Sequence, residues 1–220
     1  MNSPRVGLRI TLFLAAFLGF APAALAQSTP PSGISVADRA RELADARPWA
    51  GMIFAGSSVA DGKLRDIVFE PWTGSWGDDT LLGGAGSYRL ARLWRFFMLD
   101  AEVGGAYRFG DTEGGEFWAA AYVRYDGFPW TNYVYTTFGL SMGPNYVTRL
   151  PQVERGTDAL PEKNQSHVLN FFSPELTFAL PSRPDREIAI RYMHRSGIFG
   201  TFNGVYEGAN SLIFGYRMRF

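Results

Sequence analysis

The last ten residues read Ser211-Leu212-Ile213-Phe214-Gly215-Tyr216-Arg217-Met218-Arg219-Phe220. Leu212, Phe214, Tyr216, Met218 and Phe220 share one parity; Gly215, Arg217 and Arg219 share the other. A strand turns successive side chains to opposite faces, so this stretch has an apolar face and a basic face. Residues 97–109 repeat the pattern. Phe97, Leu99, Ala101, Val103, Tyr107 and Phe109 alternate with Asp100, Glu102 and Arg108.

From Trp49 onward, eight stretches have strand character between turn signals, at roughly 50–59, 80–94, 96–109, 116–128, 133–147, 167–180, 186–197 and 209–220. Eight is even and is the smallest usual strand number of a membrane barrel. The pattern predicts an all-β fold, an eight-stranded antiparallel transmembrane β-barrel. The large apolar side chains face lipid. Asp100, Glu102 and Arg108, joined by Arg124, Glu175, Glu187 and Arg191, fill a polar interior and pair there. A soluble barrel needs the reverse, an apolar inside. A porin needs more strands, because eight leave an interior just filled by side chains. An aromatic ending an alternating C-terminal strand, here Phe220, resembles the signal that outer-membrane barrels present to their assembly machinery. That machinery and the outer-membrane bilayer are the implied partners, and the bacterial outer membrane is the implied location.

The N-terminus fits export. Arg5 and Arg9 precede an apolar run over 10–21, and Ala24-Leu25-Ala26 forms a cleavage site. The run is short of the ~20 apolar residues of a helical span. Residues 1–26 are read as a cleaved signal peptide, 27–48 as a loop and short helix, and 49–220 as the barrel. The helix falls at 36–46 (VADRARELADA) and ends before Pro48; a periplasmic plug, an interfacial helix or a solvated tail would each suit it. With both termini in the periplasm, connections from odd to even strands face outward and should be the longer ones. The stretch 148–166 is long and polar, whereas Pro181-Ser182-Arg183-Pro184-Asp185 is a tight turn.

Composition excludes several chemistries. The chain has 220 residues, 21 basic and 21 acidic, and no cysteine. Charge balance gives no basic footprint for nucleic acid. Without cysteine there is no disulfide, zinc–thiolate site or thiol nucleophile. Two distant histidines form no metal cluster, so neither a metal nor a cofactor is expected.

Those histidines are His167 and His194. Parity puts His194 and Ser196 with Ile188, Ile190 and Tyr192, on the lipid-facing side. Polar groups among apolar neighbours are unfavourable unless paired. Nucleophilic catalysis on a lipid would account for them, because serine becomes a competent nucleophile when a histidine takes its proton. The base needs a carboxylate to fix its tautomer and stabilise the imidazolium. Glu207, just before the eighth strand, is the candidate carboxylate. Parity turns Glu207 inward, so a bulge near Gly208 would have to redirect it. The alternative at this point is an interfacial histidine beside a chance serine.

The stretch IRYMHRSGIFGTFNGVYEGANSLIFGYRMRF (190–220), with Phe128-Pro129-Trp130, Val134 to Thr137 and Glu175 to Ser182, resembles the lipid A 3-O-deacylase (PagL) family and its acyloxyacyl-hydrolase-like relatives. The resemblance implies a calcium-independent esterase acting on lipid A of lipopolysaccharide. Ser196 would be the nucleophile, His194 the base and Glu207 its orienting acid, all on the barrel exterior. The family carries Asn directly after the Ser as an oxyanion donor. Here Gly197 stands there, and its backbone amide is the substitute. Loss of one oxyanion donor typically lowers rate ~10²–10³-fold. The Glu spacing is also one residue shorter. Two further readings stand beside this one: a non-catalytic barrel of the same kind, and a lipid A acyltransferase. The latter would need an internal hydrocarbon ruler, for which Gly83, Gly84, Gly86, Gly104 and Gly105 could leave room. Oligomeric state stays open, a homodimer included.

Overall fold

The computed structural model describes residues 33–61, 75–155, 165–198, 200–202, 204–205 and 208–220. The signal-peptide reading of 1–26 and the position of Glu207 lie outside the described residues. A helix α1 (Val36–Asp45) precedes β1 (Trp49–Asp61), β2 (Ser75–Trp94), β3 (Phe97–Phe109), β4 (Gly114–Tyr125), β5 (Tyr135–Val147), β6 (Val168–Leu180), β7 (Arg183–Ser196) and β8 (Asn210–Arg219). Each strand pairs antiparallel with the next, and β1 pairs with β8 to close the barrel. At the seam Phe220 N–H donates to Trp49 O at 2.9 Å, and Trp49 N–H donates to Phe220 O at 3.3 Å. Closure removes every strand edge, which matters where no water can satisfy a free N–H or C=O.

Parity works as the sequence predicts. Ile53, Val103, Tyr107, Phe117, Met142, Ile188, Phe214 and Met218 point outward and are exposed, Ile53 to 70%. So continuous an apolar outer wall is untenable in water and suits hydrocarbon. The inward parity is filled in three layers. Nearest the termini, Glu175 accepts from Arg191 Nε at 2.8 Å, from Arg217 Nη1 at 2.7 Å and from Arg124. Glu102 takes a bidentate Arg191 at 2.7 and 2.8 Å, and Trp118 Nε1–H at 3.0 Å. Asp100 joins Arg89 and Arg124, while Glu187 joins Arg217 and Arg219. The buried Tyr122 ring lies under two guanidinium groups, 4.4 Å from Arg124 and 5.0 Å from Arg191. A middle layer of Met52, Phe54, Trp118, Phe171, Met193 and Ile213 is apolar, with Trp118 stacked on Phe171 at 5.1 Å. Beyond it lies a second charged layer built on Arg108, Glu116, Asn145 and Arg195.

The middle layer takes the space that two of these glycines, Gly83 and Gly104, leave. A Cβ at Gly104 would fall 2.2 Å from the Trp118 ring, and one at Gly83 would fall 2.5 Å from the Phe54 ring. The rings therefore occupy the volume that an internal hydrocarbon ruler would need.

Helix α1 is the plug among the three roles open to it. Ser35 caps it, accepting Asp38 N–H at 3.0 Å. Ala40, Arg41 and Ala44 are buried, with Ala40 and Ala44 packed in a cluster with Tyr135 and Ala179. Asp45 pairs with Arg89 and Arg92; Arg92 Nη2 also meets Asp126 at 3.0 Å, and Tyr135 donates to Asp126 at 3.1 Å. Ala37 N–H donates to Asn132 Oδ1 at 3.0 Å. This docking explains a departure from the expected loop asymmetry. The outward connection 110–113 is short, while the inward connection 126–134 is the longer of the two. The inward segment supplies Asp126 and Asn132, the socket of the helix.

Arg191→Met leaves Glu102 and Glu175 each short of a partner in a buried interior. It should lower stability by about 3–5 kcal/mol, read as an earlier urea midpoint for the micelle-embedded barrel. Asp126→Ala should instead release the helix, exposing 33–46 to protease while the barrel persists. The Ser35 hydrogen bond, with Arg95, holds the Asp38 carboxyl below its ordinary range. A depressed carboxylate stabilises above its unfolded-state value and loses that contribution as pH falls through the folded one. Helix protection should thus be constant between about pH 5 and 8 and decline in acid.

Candidate functional site on the outer wall

Strand β7 carries two kinds of side chain into its outer end. Met193 and Arg195 point inward, while Tyr192, His194 and Ser196 point outward. His194 faces Phe172 on β6 and Asn210 on β8, and Ser196 faces Asn170 on β6. The His194 ring lies nearly parallel to Tyr192, at 11° and 6.4 Å between centroids. Tyr192 is part of an outer-wall cluster with Val59 and Leu212, against which Trp76 and Ile190 pack. His194 and Ser196 are both half-buried.

The imidazole is paired, with a residue outside the sequence-predicted set. Nδ1 lies 2.6 Å from Asn210 Oδ1. With the amide oxygen as acceptor, Nδ1 is the donor and Nε2 keeps its lone pair. The geometry among the described residues therefore gives the orienting contact to Asn210. The only hint of it in the sequence is that Asn210 shares outward parity with Leu212 and Phe214. No hydrogen bond among the described residues joins His194 to Ser196. His167 is engaged elsewhere: its Nδ1 meets Val147 O at 2.7 Å, on the β5 side of β6. A shallow hollow of about 530 Å³ lies on the far wall, along Gly86, Ala101, Ala119 and Pro144, away from His194.

Behind the site the inner face is clamped. Arg195, between His194 and Ser196, donates Nε to Asn145 Oδ1 at 2.9 Å and Nη2 to Ser166 O at 2.7 Å, and pairs with Glu154. Glu154 comes from a 3-10 turn (Gln152–Glu154) in the β5–β6 loop and accepts Ala209 N–H at 3.1 Å. One carboxylate thus holds β7 at Arg195 and the backbone just before Asn210. Burial pushes the Glu154 carboxyl above its ordinary range, with Arg195 opposing the shift.

The turn after β7 explains why Gly197 stands where the resembling family has Asn. The Gly197 carbonyl accepts Phe202 N–H at 2.8 Å, and Gly200 N–H donates to Val205 O at 3.0 Å. The chain folds so tightly that a Cβ at Gly197 would lie 2.0 Å from Val205 O. Backbone cannot yield as a flexible side chain can, so no side-chain oxyanion donor fits at 197. The next residue, Ile198, sits at φ 47°, an unfavourable region for a β-branched side chain. Gly208 is equally constrained, since a Cβ there would lie only 1.6 Å from Arg195 O.

No family model matches the chain, and neither does any curated protein. Among solved structures it is similar to the outer membrane enzyme PagL, with a TM-score of 0.51 at 9% identity over 78% of this chain and 99% of that one. It is also similar to Neisserial surface protein A, at 0.47 and 14% identity over 78% and 97% of the two chains. A third is the Yersinia pestis outer membrane protein Ail, at 0.41 and 12% identity over 79% and 99%. The chain has the fold of an eight-stranded outer-membrane barrel.

Gly197→Asn should not supply an oxyanion donor. It should distort the turn and lower unfolding stability by roughly 1–3 kcal/mol, as overpacking does, measured by urea titration beside the wild-type barrel.

Proposed function

We propose that this chain is an outer-membrane esterase that removes the 3-O-linked acyl chain of lipid A. The observation that carries the reading is a hydrogen-bonded imidazole two residues from a serine, both on the lipid-facing side of a strand end. Ser196 Oγ attacks the ester carbonyl carbon while His194 Nε2 takes its proton. The imidazolium returns that proton to the departing sugar alkoxide. Water then cleaves the acyl-serine, with the same base, and releases a fatty acid. The Gly197 amide is the oxyanion donor this reading assigns. A substrate held in the outer leaflet of the bacterial outer membrane reaches such a wall by lateral diffusion, which suits a site outside the barrel rather than in its filled interior. Phe220, hydrogen-bonded at the seam, is the end that the assembly machinery would read.

A second reading is favoured by one specific observation. His194 is held by an amide, and no hydrogen bond joins it to Ser196 among the described residues. A barrel with no chemistry would tolerate both.

Mass spectrometry of lipid A from cells expressing the wild type, Ser196→Ala and His194→Ala separates the two. Loss of one hydroxyacyl mass with the wild type alone is the expected result. Unchanged lipid A in all three, with each protein folded in the outer membrane, leaves the non-catalytic barrel.

A further inference from the structure

The structure assigns Asn210 as the positioning residue that holds His194 in its Nδ1–H tautomer and so leaves Nε2 free to act as base, an assignment that rests on the esterase reading for its purpose but not for its geometry. Three observations converge on it. First, Oδ1 and Nδ1 are 2.6 Å apart, a full hydrogen bond rather than a graze. Second, the two residues are direct partners across the β7–β8 ladder, so the contact is built into the strand register. Third, the backbone beside each is anchored from the inside. Arg195 N–H donates to Ala209 O at 2.9 Å, and Glu154 holds both Arg195 and Ala209 N–H. The pair cannot slide without breaking this clamp.

The choice of an amide has a physical sense on this wall. An ionised carboxylate at the same place would be desolvated by lipid and by Tyr192, Phe172 and Leu212, and burying a charge is far less favourable than burying an amide. An amide oxygen still orients the ring. It does not itself supply the charge that would stabilise the imidazolium.

The test uses the full-length barrel in detergent micelles, with His167→Gln as background so that His194 is the one imidazole observed. Nitrogen-15 NMR reads the tautomer directly, whether or not the protein has activity. The expected result is a protonated Nδ1 in the parent and in Asn210→Asp, and a mixture or the Nε2–H form in Asn210→Leu. In the lipid A assay, Asn210→Leu should lower kcat by ~10²-fold or more, as loss of an orienting partner does in other triads, with KM little changed. Asn210→Asp should retain turnover. An Nε2–H ring in the parent overturns the assignment, since the Asn210 amide would then be donating. So does a Glu207→Gln variant that changes the tautomer while Asn210→Leu does not. If the parent shows the Nδ1–H form yet no lipid A is cleaved, the esterase reading fails and the Asn210 contact stands.

Discussion

The ladder that joins β1 to β8 runs from Ala50 opposite Arg219 to Val59 opposite Asn210 and leaves no strand edge. In hydrocarbon every free N–H or C=O is a loss of several kcal/mol, so a sheet can remain there only when closed. Closure with eight strands fixes a narrow interior, and the strand period then divides the chain between that interior and the lipid. Everything else in the molecule answers to this division. Charges that cannot face lipid turn inward, and once inside they need partners. Glu175 with three guanidinium groups and Glu102 with a bidentate arginine are the consequence.

The same division makes the outer end of β7 unusual. Charged groups such as Asp100, Glu175 and Arg191 turn in and pair, yet His194 turns out. Its pairing comes from Asn210 on the neighbouring strand, while the strands carrying both are clamped from within by Arg195 and Glu154. The interior thus does two kinds of work. Its lower ionic layer and helix α1 close the barrel near the termini. Its upper layer sets the register of the wall on which the candidate site sits.

Much of the fold was legible because parity is a local property. A period of two can be read in any ten residues, and it placed Asp100, Glu102, Arg108, Arg124, Glu175, Glu187 and Arg191 inside, where the structure has them buried. It also placed His194 and Ser196 together outside. Parity failed where the chain leaves the strands. It says nothing of how tightly the β7–β8 turn folds, so the crowding of Gly197 by Val205 O was invisible. It also did not single out Asn210, which meets the His194 ring across the β7–β8 ladder. The interior glycines misled for a related reason. A glycine reports a missing side chain at one position, and whether Trp118 or Phe54 fills the gap depends on strands far away in sequence.

By itself the sequence determined the strands, their two faces, the charged interior and the short helix, since each rests on periodicity or on interactions within a few residues. Only the tertiary structure decided that the helix is a plug, that aromatic rings fill the middle of the barrel, and that His194 pairs with Asn210. Those outcomes depend on register across the closed sheet. Register is fixed cooperatively by all eight strands and by the turns between them, so no single stretch of the chain carries it.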